Sequence, residues 1–492
     1  MLRESRIAYL SWFMILLLVG SLYGQGPDSL WHRAFGDTLN DWGFSVIETH
    51  DGYFVTAGQM QVYNPDSGMI FLDVYVLKLD AAGDTIWART YGGDRVDGSR
   101  SVIEASDGNY VVTGYTDSWG SGDNDIYVLK IGPDGDLIWE RVIGGSRGDE
   151  VSYCVREAPD STYRIVGTTD AFGDSDVFLV GIAADGSWYW EYPYDIPGHQ
   201  SAHELAYTPD GYLVMVGSYF GPTVDVFVMK TEGNGDTLWT RTYDFGPLDY
   251  GTSVQPLTYD TYLVAGYSQA ALAPFYNAFL LHIESNGDVN WTKFYGGPAH
   301  DTASSVKTLA DGGFVFTGGT RSYGAGGDDV WLVRTDADGD TVWTKTYGGV
   351  NYDSGREVQV TSDNGFIIGG HTVSFGNGIY DLYLVKAGGD LSGVVHTETP
   401  GVDLSVSVMP NPSSSGISIT FEAPVPHQAD LVVCDLLGRR VKRFTPIESS
   451  AGAPRVEWDG CDEQGRRVSP GIYFLQLRAG GALATQKIIV LR

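Results

Sequence analysis

The chain of 492 residues is poor in cysteine and in positive charge. Its three cysteines cannot build a disulfide framework, and without a CxxC pair or a histidine cluster the sequence offers no structural zinc site. Only 31 lysines and arginines stand against 62 aspartates and glutamates, which gives a formal net charge of −31. Phosphate backbones and anionic lipid surfaces repel such a protein, so nucleic acid is not a predicted partner.

Long apolar runs are also rare. Residues 7–20 form one, which follows Arg3 and Arg6 and precedes the small residue Gly24, a pattern typical of a signal peptide over 1–24. A retained membrane anchor is the alternative, but the run is short for one. Beyond residue 30 no segment has sustained helical periodicity or the length of a transmembrane helix, and 65 glycines with 13% aromatic residues favour short strands and tight turns. We therefore predict an all-β protein.

A tryptophan repeat organises most of the chain. Tryptophans recur at intervals of 49 to 56 residues, and each repeat carries four strand signals separated by turn residues. The repeated tryptophans are Trp31, Trp87, Trp139, Trp190, Trp239, Trp291 and Trp343. The predicted third strands span 73–79, 125–131, 176–182, 225–231, 277–283, 329–335 and 381–387. The last repeat ends without a tryptophan-containing fourth strand. The first tryptophan-containing strand, 30–36, instead stands before the first complete repeat. We therefore predict a seven-bladed β-propeller over 26–395, closed by the N-terminal strand.

The fourth strand of most repeats alternates Trp, Arg or Lys, and Tyr, as in Trp87, Arg89 and Tyr91, so all three share one face. A cation beside two rings fits a carbohydrate or methyl-lysine site, but its repetition favours a structural ladder between blades. Pro193 predicts one irregular outer strand. The preceding turn, as in 336–340, resembles the Asp-box of sialidase-type propellers and faintly the quinoprotein repeat. The resemblance implies strand order and not hydrolysis, and we expect a hairpin with a left-handed glycine.

Two sets of acidic residues fall on one face of the predicted ring, where the first and third strands begin. They either accept backbone N–H bonds at strand ends or form an acidic face for calcium or a cationic partner. The candidate metal ligands are Asp73, Asp125, Asp176, Asp329 and Asp381, and calcium is the only cofactor left open. The candidate ligand-face residues are Asp41, Asp97, Asp249, Asp301 and Asp353, with Phe275 and Tyr276. Departures from the repeat, at the longer loops 59–73 and 267–278 and at 186–205, are where we expect function.

After residue 395 the composition changes, which indicates a linker over 396–404 and a second domain over 405–492. Alternating apolar residues and short turns predict a small Ig-like β-sandwich in this domain. It contains Cys434 and Cys461, and the sequence leaves a disulfide between them open.

Four motifs in this domain carry a specific resemblance. PNP (410–412), DLLGRRV (435–441), WDG (458–460) and GIYF (471–474) resemble the type A C-terminal sorting domain of type IX secretion substrates, and the last two are also similar to the Ig-like domain of flagellar hook-capping proteins. The resemblance implies export across the outer membrane by secretion machinery. Lys487 and Arg492, which flank the apolar terminal strand, are the predicted sorting signal.

The sequence thus predicts a monomeric binding or adhesion module, secreted from or displayed on a Gram-negative-type bacterium, with a glycan or protein ligand at the acidic face. The alternative is an extracellular hydrolase or lyase acting on glycans. No GxSxG elbow is present, and the close pair His199 and His203 lacks a third ligand for a catalytic metal. No catalytic or cofactor-binding residue is therefore predicted, and an enzyme is the less favoured reading.

Overall fold

The computed structural model describes residues 24–389, apart from 66, 122, 146–147, 172, 174, 195, 259 and 270–273, and eight segments further along. These later segments are 405–409, 417–422, 430–434, 440–444, 455–462, 465–469, 471–479 and 482–490. Residues 1–23 of the predicted signal peptide and the predicted linker 396–404 lie outside the described residues. The chain divides into two compact units, Met1–Gly388 and Gly389–Arg492.

Every regular element in the described ranges is a β-strand, which confirms the all-β prediction. Within those ranges no helix is long and apolar enough to cross a membrane.

The described part of the first unit is a succession of four-stranded antiparallel sheets, each built from consecutive strands. The first sheet contains β3 (Asp41–Glu48), β4 (Phe54–Asn64), β5 (Met69–Leu79) and β6 (Thr85–Tyr91). The second contains β7 (Asp97–Glu104), β8 (Tyr110–Thr116), β9 (Asp125–Ile131) and β10 (Leu137–Ile143). The third contains β11 (Glu150–Glu157), β12 (Tyr163–Thr169), β13 (Asp176–Ile182) and β14 (Trp188–Tyr194). The fourth contains β15 (His199–Tyr207), β16 (Leu213–Phe220), β17 (Val224–Thr231) and β18 (Thr237–Tyr243).

The remaining sheets of this unit follow the same order. They contain β19 (Leu248–Pro256), β20 (Thr261–Gln269), β21 (Tyr276–Glu284), β22 (Val289–Tyr295), then β23 (Ser305–Thr308), β24 (Phe314–Thr320), β25 (Asp329–Thr335), β26 (Thr341–Tyr347), and finally β27 (Asp353–Val360), β28 (Phe366–Thr372), β29 (Asp381–Ala387). β9, β13, β25 and β29 coincide with the predicted third strands, and β5, β17 and β21 begin one to four residues earlier than predicted.

The N-terminal segment joins the sheets at the other end of this unit. β2 (Ser29–Phe35) pairs antiparallel with β29, with Phe35 opposite Leu382, and so takes the fourth place beside β27–β29. The short strand β1 (Gly24–Gln25) adds in parallel to β26. The tryptophan strand that the last repeat lacks is therefore supplied from the start of the chain.

The sheets pack face to face, and this buries the third strand of each on both sides. Every residue of β9 is buried, since its alternate side chains point to opposite faces. Val76 of β5 and Leu129 of β9 share one apolar core. Val46 of β3 packs in another with Leu384 of β29, which places the first and last of these sheets side by side.

Side-chain hydrogen bonds also join neighbouring innermost strands. The Val102 N–H donates to Ser45 Oγ at 3.1 Å, and the Val306 N–H donates to Ser253 Oγ at 3.1 Å. The Ser45 hydroxyl in turn donates to Glu357 Oε2 at 2.6 Å, which ties β3 to β27. The first strands of these sheets are therefore adjacent to one another.

The outer-strand motif has a structural role. The Trp87 indole donates to Pro133 O at 2.9 Å and the Tyr91 hydroxyl to Gly135 O at 2.6 Å, both in the hairpin of the next sheet. Gly135 has a φ of 83°, which confirms the left-handed hairpin glycine. The Tyr347 hydroxyl donates to Pro27 O at 2.7 Å, so the N-terminal segment takes the place of that hairpin.

Two local predictions were wrong. β14 runs through Pro193, which pairs in register with Phe178, because an outermost strand can face its missing N–H away from the sheet. The segment 59–73 is no loop except at its tip: β4 and β5 extend through it as a hairpin, with Tyr63 opposite Ile70. Alternation in the sequence QMQVY was a strand signal in its own right.

The second unit contains two sheets over one apolar core. One sheet has β30 (Ser405–Met409), β31 (Ile417–Glu422) and β34 (Arg455–Trp458), and the other has β32 (Asp430–Cys434), β33 (Arg440–Phe444), β35 (Gly471–Ala479) and β36 (Ala482–Val490). Trp458 of the WDG motif and Tyr473 of the GIYF motif are both buried in this core, in edge-to-face contact at 5.8 Å. Cys461 is a free thiol, so the disulfide with Cys434 is not formed.

Candidate functional site

The predicted ligand-face carboxylates are buried at the starts of the innermost strands. In each, Oδ2 accepts the backbone N–H four residues earlier at 2.6–3.1 Å. These residues are Asp41, Asp97, Asp249, Asp301 and Asp353, all 0% exposed. The geometry is that of strand-end hydrogen bonding, the first of the two readings that the sequence allowed.

The predicted metal ligands lie beside them, at the starts of the third strands. Asp125, Asp176, Asp329 and Asp381 are buried and Asp73 is half-buried. The Ser121 N–H donates to Asp125 Oδ2 at 3.0 Å and the Ala325 N–H to Asp329 Oδ2 at 2.8 Å.

The two acidic sets meet in pairs around a glycine between neighbouring sheets. A Cβ on Gly348 would lie 2.2 Å from Asp329 Oδ1 and 2.7 Å from Asp353 Oδ2. Burial, with the nearby charges of Asp37 and Asp381, raises the pKa of Asp41 to about 7. The carboxylates are therefore close-packed, and their proximity explains why glycine stands between them.

One junction departs from this pattern. Asp244 stands five residues before Asp249, where Gly348 stands five before Asp353. Asp225, Asp244 and Asp249 have carboxylate oxygens within 4.8 Å of one another and could hold a metal ion. Burial, together with the charge of Asp244, raises the pKa of Asp249. Only Asp249 of this trio is among the predicted site residues.

A feature that the sequence analysis missed lies just inside the acidic pairs. Six of the innermost strands contain a β-bulge, a residue that is skipped in the pairing with the next strand. In each strand the bulged residue lies three positions after the buried aspartate near the start of the strand, or after the glutamate or glutamine in its place. A β-bulge of this kind re-aims the extra residue and is common beside functional sites. The bulged residues are Phe44, Arg100, Tyr153, His203, Thr252 and Arg356. They differ from repeat to repeat, whereas ring-building residues recur.

Arg356 is exposed at the bulge of β27, and its charge acts on aromatic side chains from two sheets. Tyr352 stacks on His371 at 5.6 Å, and Tyr380 lies 5.7 Å from His371 and 5.6 Å from Trp42. Burial and the charge of Arg356 lower the pKa of His371 to about 3, so this imidazole is neutral at physiological pH. Tyr352 directly precedes β27, His371 lies in β28, Tyr380 directly precedes β29, and Trp42 lies in β3.

A second group of rings comes from β19, β20 and β21. Tyr250 stacks on Tyr267 at 4.9 Å, and the predicted residue Tyr276 contacts Tyr267 at 5.3 Å. Burial, opposed in part by the charge of Arg356, raises the pKa of Tyr267 to about 12. The predicted residue Phe275 is 38% exposed and lies at the edge of the group.

A third group lies at the corresponding bulges of β3 and β7. The Arg100 guanidinium lies 4.2 Å from the centre of the Phe44 ring and 5.5 Å from that of Tyr115. We call the whole surface the aromatic patch; it comprises Trp42, Phe44, Arg100, Tyr115, Tyr250, Tyr267, Tyr276, Tyr352, Arg356, His371 and Tyr380. Rings and unpaired donors on one partly exposed surface are suited to binding a ligand by stacking and hydrogen bonding.

The predicted sorting residues are only partly described. Lys487 lies in β36, with its backbone opposite Phe474, and Arg492 lies outside the described residues.

Comparison with known proteins identifies the second unit. Residues 410–482 match the family model of the FlgD Ig-like domain, which confirms the Ig-like prediction for this part of the chain. No curated protein matches the chain.

Solved structures resemble the chain only in general architecture. PorZ, a surface component of the type-IX secretion system of Porphyromonas gingivalis, is 12% identical with a TM-score of 0.42; the match covers 95% of this chain and 60% of PorZ, so this chain spans less than two thirds of its length. An α-L-arabinofuranosidase from Fusarium graminearum is 11% identical with a TM-score of 0.42, over 64% and 99% of the two chains. The β-propeller domain of the Trilobed protease from Pyrococcus furiosus is 9% identical with a TM-score of 0.38, over 73% and 94%.

Proposed function

We propose that the protein is an exported, cell-surface binding module that holds a glycan on its aromatic patch. The observation that carries this proposal is the patch itself, where two ring clusters from different sheets both interact electrostatically with the exposed side chain of Arg356. Planar rings stack on the apolar faces of sugars, and tyrosine hydroxyls and guanidinium N–H groups supply donors for sugar oxygens.

The scaffold in this proposal is a closed seven-bladed β-propeller. The place of β2 beside β29 and the Ser45–Glu357 hydrogen bond between β3 and β27 support closure. A closed ring leaves no unpaired sheet edge between its ends, and it fixes the bulged residues of the innermost strands around a common centre.

Removal of the patch rings tests the proposal. We expect Tyr352→Ala and Tyr267→Ala to lose glycan binding by tenfold or more, since base or sugar stacking on one ring contributes about 1–3 kcal/mol. Glycan arrays followed by calorimetry on the purified full chain measure this. Tyr189→Ala is the matched control, because Tyr189 is 56% exposed on the outer strand β14.

The results distinguish three outcomes. Equal binding by the patch variants and Tyr189→Ala would exclude the patch as the site. Binding of proteins but of no glycan on the arrays would contradict the ligand class. Release of reducing sugars from a bound polysaccharide would instead support the hydrolase or lyase alternative.

The second unit in this proposal is a sorting domain read by secretion machinery. The FlgD Ig-like match and the motifs PNP, DLLGRRV, WDG and GIYF support it. Deletion of 484–492 should retain the protein in the periplasm, but Ile488 is a core residue and the truncated domain could unfold. The double variant Lys487→Ala and Arg492→Ala therefore serves as the second test. Normal export of the double variant would refute these two residues as the signal, and normal export of the deletion would refute the sorting role itself.

A further inference from the structure

Arg100 and Arg356 occupy the same place in two repeats. Each is the third residue after the first aspartate of an innermost strand, Asp97 or Asp353, and each sits at the β-bulge of that strand. Because the bulge leaves these residues outside the regular ladder, their side chains belong to the aromatic patch and not to the packing between sheets.

Neither guanidinium has a carboxylate partner among the residues that the structure describes, although acidic residues outnumber basic ones two to one. Buried lysines elsewhere in the repeats are paired: Lys130 Nζ lies 2.5 Å from Asp107 Oδ2, and Lys386 Nζ lies 2.9 Å from Asp363 Oδ2.

Glu357, the residue after Arg356, accepts the Ser45 hydroxyl, and the aspartate near the start of each of these two strands is engaged through its Oδ2. Asp97 Oδ2 accepts the Gly93 N–H at 2.7 Å and the Ser118 hydroxyl at 2.6 Å. Asp353 Oδ2 likewise accepts the Gly349 N–H and the Ser374 hydroxyl, each at 2.7 Å. Both are fully buried, so neither aspartate neutralises its neighbouring arginine through a direct contact.

Arg100 is also held with its donors free. Its guanidinium stacks on Phe44, and its Nε is buried without a hydrogen-bond acceptor. An arginine stacked on a ring keeps its in-plane N–H groups available, and their fork matches the two oxygens of a carboxylate or sulfate. A buried donor without an acceptor is costly unless a ligand completes it.

We infer that the glycan bound at the aromatic patch is acidic, and that Arg100 and Arg356 bind its carboxylate or sulfate groups while the rings stack on its sugars. This inference rests on the proposed glycan-binding function and adds the charge class of the ligand. An anionic ligand is unexpected for a protein of net charge −31, because the overall field opposes its approach. Two unpaired arginines at the bulges provide the local attraction that this field lacks.

Matched pairs of polysaccharides test the inference on the purified full chain. The panel contains alginate, polygalacturonate and hyaluronan beside their carboxyl-reduced forms, and chondroitin sulfate and heparin beside their desulfated forms. We expect the protein to prefer the charged member of at least one pair by tenfold or more. Arg356→Gln should remove that preference by weakening binding of the charged member tenfold or more, with a smaller loss for the neutral member, and Arg356→Lys should restore only part of the preference, because lysine keeps the charge without the fork.

Arg33→Gln is the control for the change in net charge, since Arg33 lies exposed on the outer strand β2. Arg100→Gln provides the second site variant. Equal binding of charged and neutral members, or an equal loss for both in Arg356→Gln, would overturn the inference and leave the glycan-binding function standing. Failure to bind any member of the panel or any array glycan would overturn both.

Discussion

The buried carboxylate of Asp353 offers the sharpest test of the role that the structure gives to the acidic residues. Its Oδ2 accepts the Gly349 N–H and the Ser374 hydroxyl at 2.7 Å each, and its Oδ1 accepts the Thr372 hydroxyl. Replacement by alanine removes these three bonds, together with a longer one of 3.4 Å from the Ser374 N–H to Oδ1, and leaves the Gly349 N–H without an acceptor. Hydrogen bonds to a charged group contribute about 1.5–3 kcal/mol each.

The net loss of stability is smaller than the sum of these hydrogen bonds, because alanine also removes the cost of burying the charge. The two hydroxyls can in addition rotate toward other acceptors. We therefore expect Asp353→Ala to lower the free energy of unfolding by about 3–5 kcal/mol, the upper range for single substitutions. The loss should appear as a lower urea midpoint and a melting temperature reduced by several degrees in calorimetry.

Asp338→Ala is the matched control, because it removes the same negative charge from an exposed hairpin. A midpoint shift for Asp353→Ala no larger than that of Asp338→Ala would refute the strand-end role of this carboxylate. Unchanged stability with lost ligand binding would favour the ligand-face reading.

Three further predictions concern the junctions between sheets. Gly144→Ala should lower the melting temperature, because a Cβ at this position would lie 2.0 Å from Asp125 Oδ1. Gly145→Ala should leave the melting temperature unchanged, because nothing lies within 4 Å of a Cβ built there. Equal effects of the two substitutions would contradict the packing argument. The pKa of Asp41 is raised from its ordinary 3.8 to about 7, so the folded protein binds this proton more tightly than the unfolded chain does. The stability gained from protonation of Asp41 is therefore complete below pH 4 and is lost as the pH rises through 7. Melting temperatures from pH 4 to 8 measure the decline, and Asp41→Asn should flatten it. If calcium binds at the trio around Asp244, added calcium should raise the melting temperature, and Asp244→Gly should abolish the increase; no shift in the unmodified protein would dismiss calcium.

Much of the fold was predictable from local pattern. The strand run DIYVLKI, the tryptophan repeat and the glycine turns each follow from side-chain periodicity and backbone freedom, which act within a few residues. For this reason β9 and β29 match their predicted bounds. The segment 59–73 was misjudged because its length beyond the repeat was given more weight than its alternation.

The candidate site was predictable only in part. Tyr276 and Phe275 were found because they interrupt the repeat, and Tyr276 does contact Tyr267. Arg100 and Arg356 were missed although they stand at equivalent positions. A comparison of that position across the repeats would have shown that it varies widely in size and charge, whereas the residue before it is always small, the one signal available without a structure.

The sequence by itself determined the all-β class, the repeated sheets and the Ig-like second unit, because strand periodicity, turn glycines and short motifs are local properties. Only the tertiary structure decided which side chains meet. It placed β2 beside β29 and buried Asp353 in strand-end hydrogen bonds. It also brought rings from separate sheets within the electrostatic reach of Arg356. The physical reason is that these contacts join residues far apart in the chain through packing between sheets, and the position of a bulge depends on the pairing of two strands.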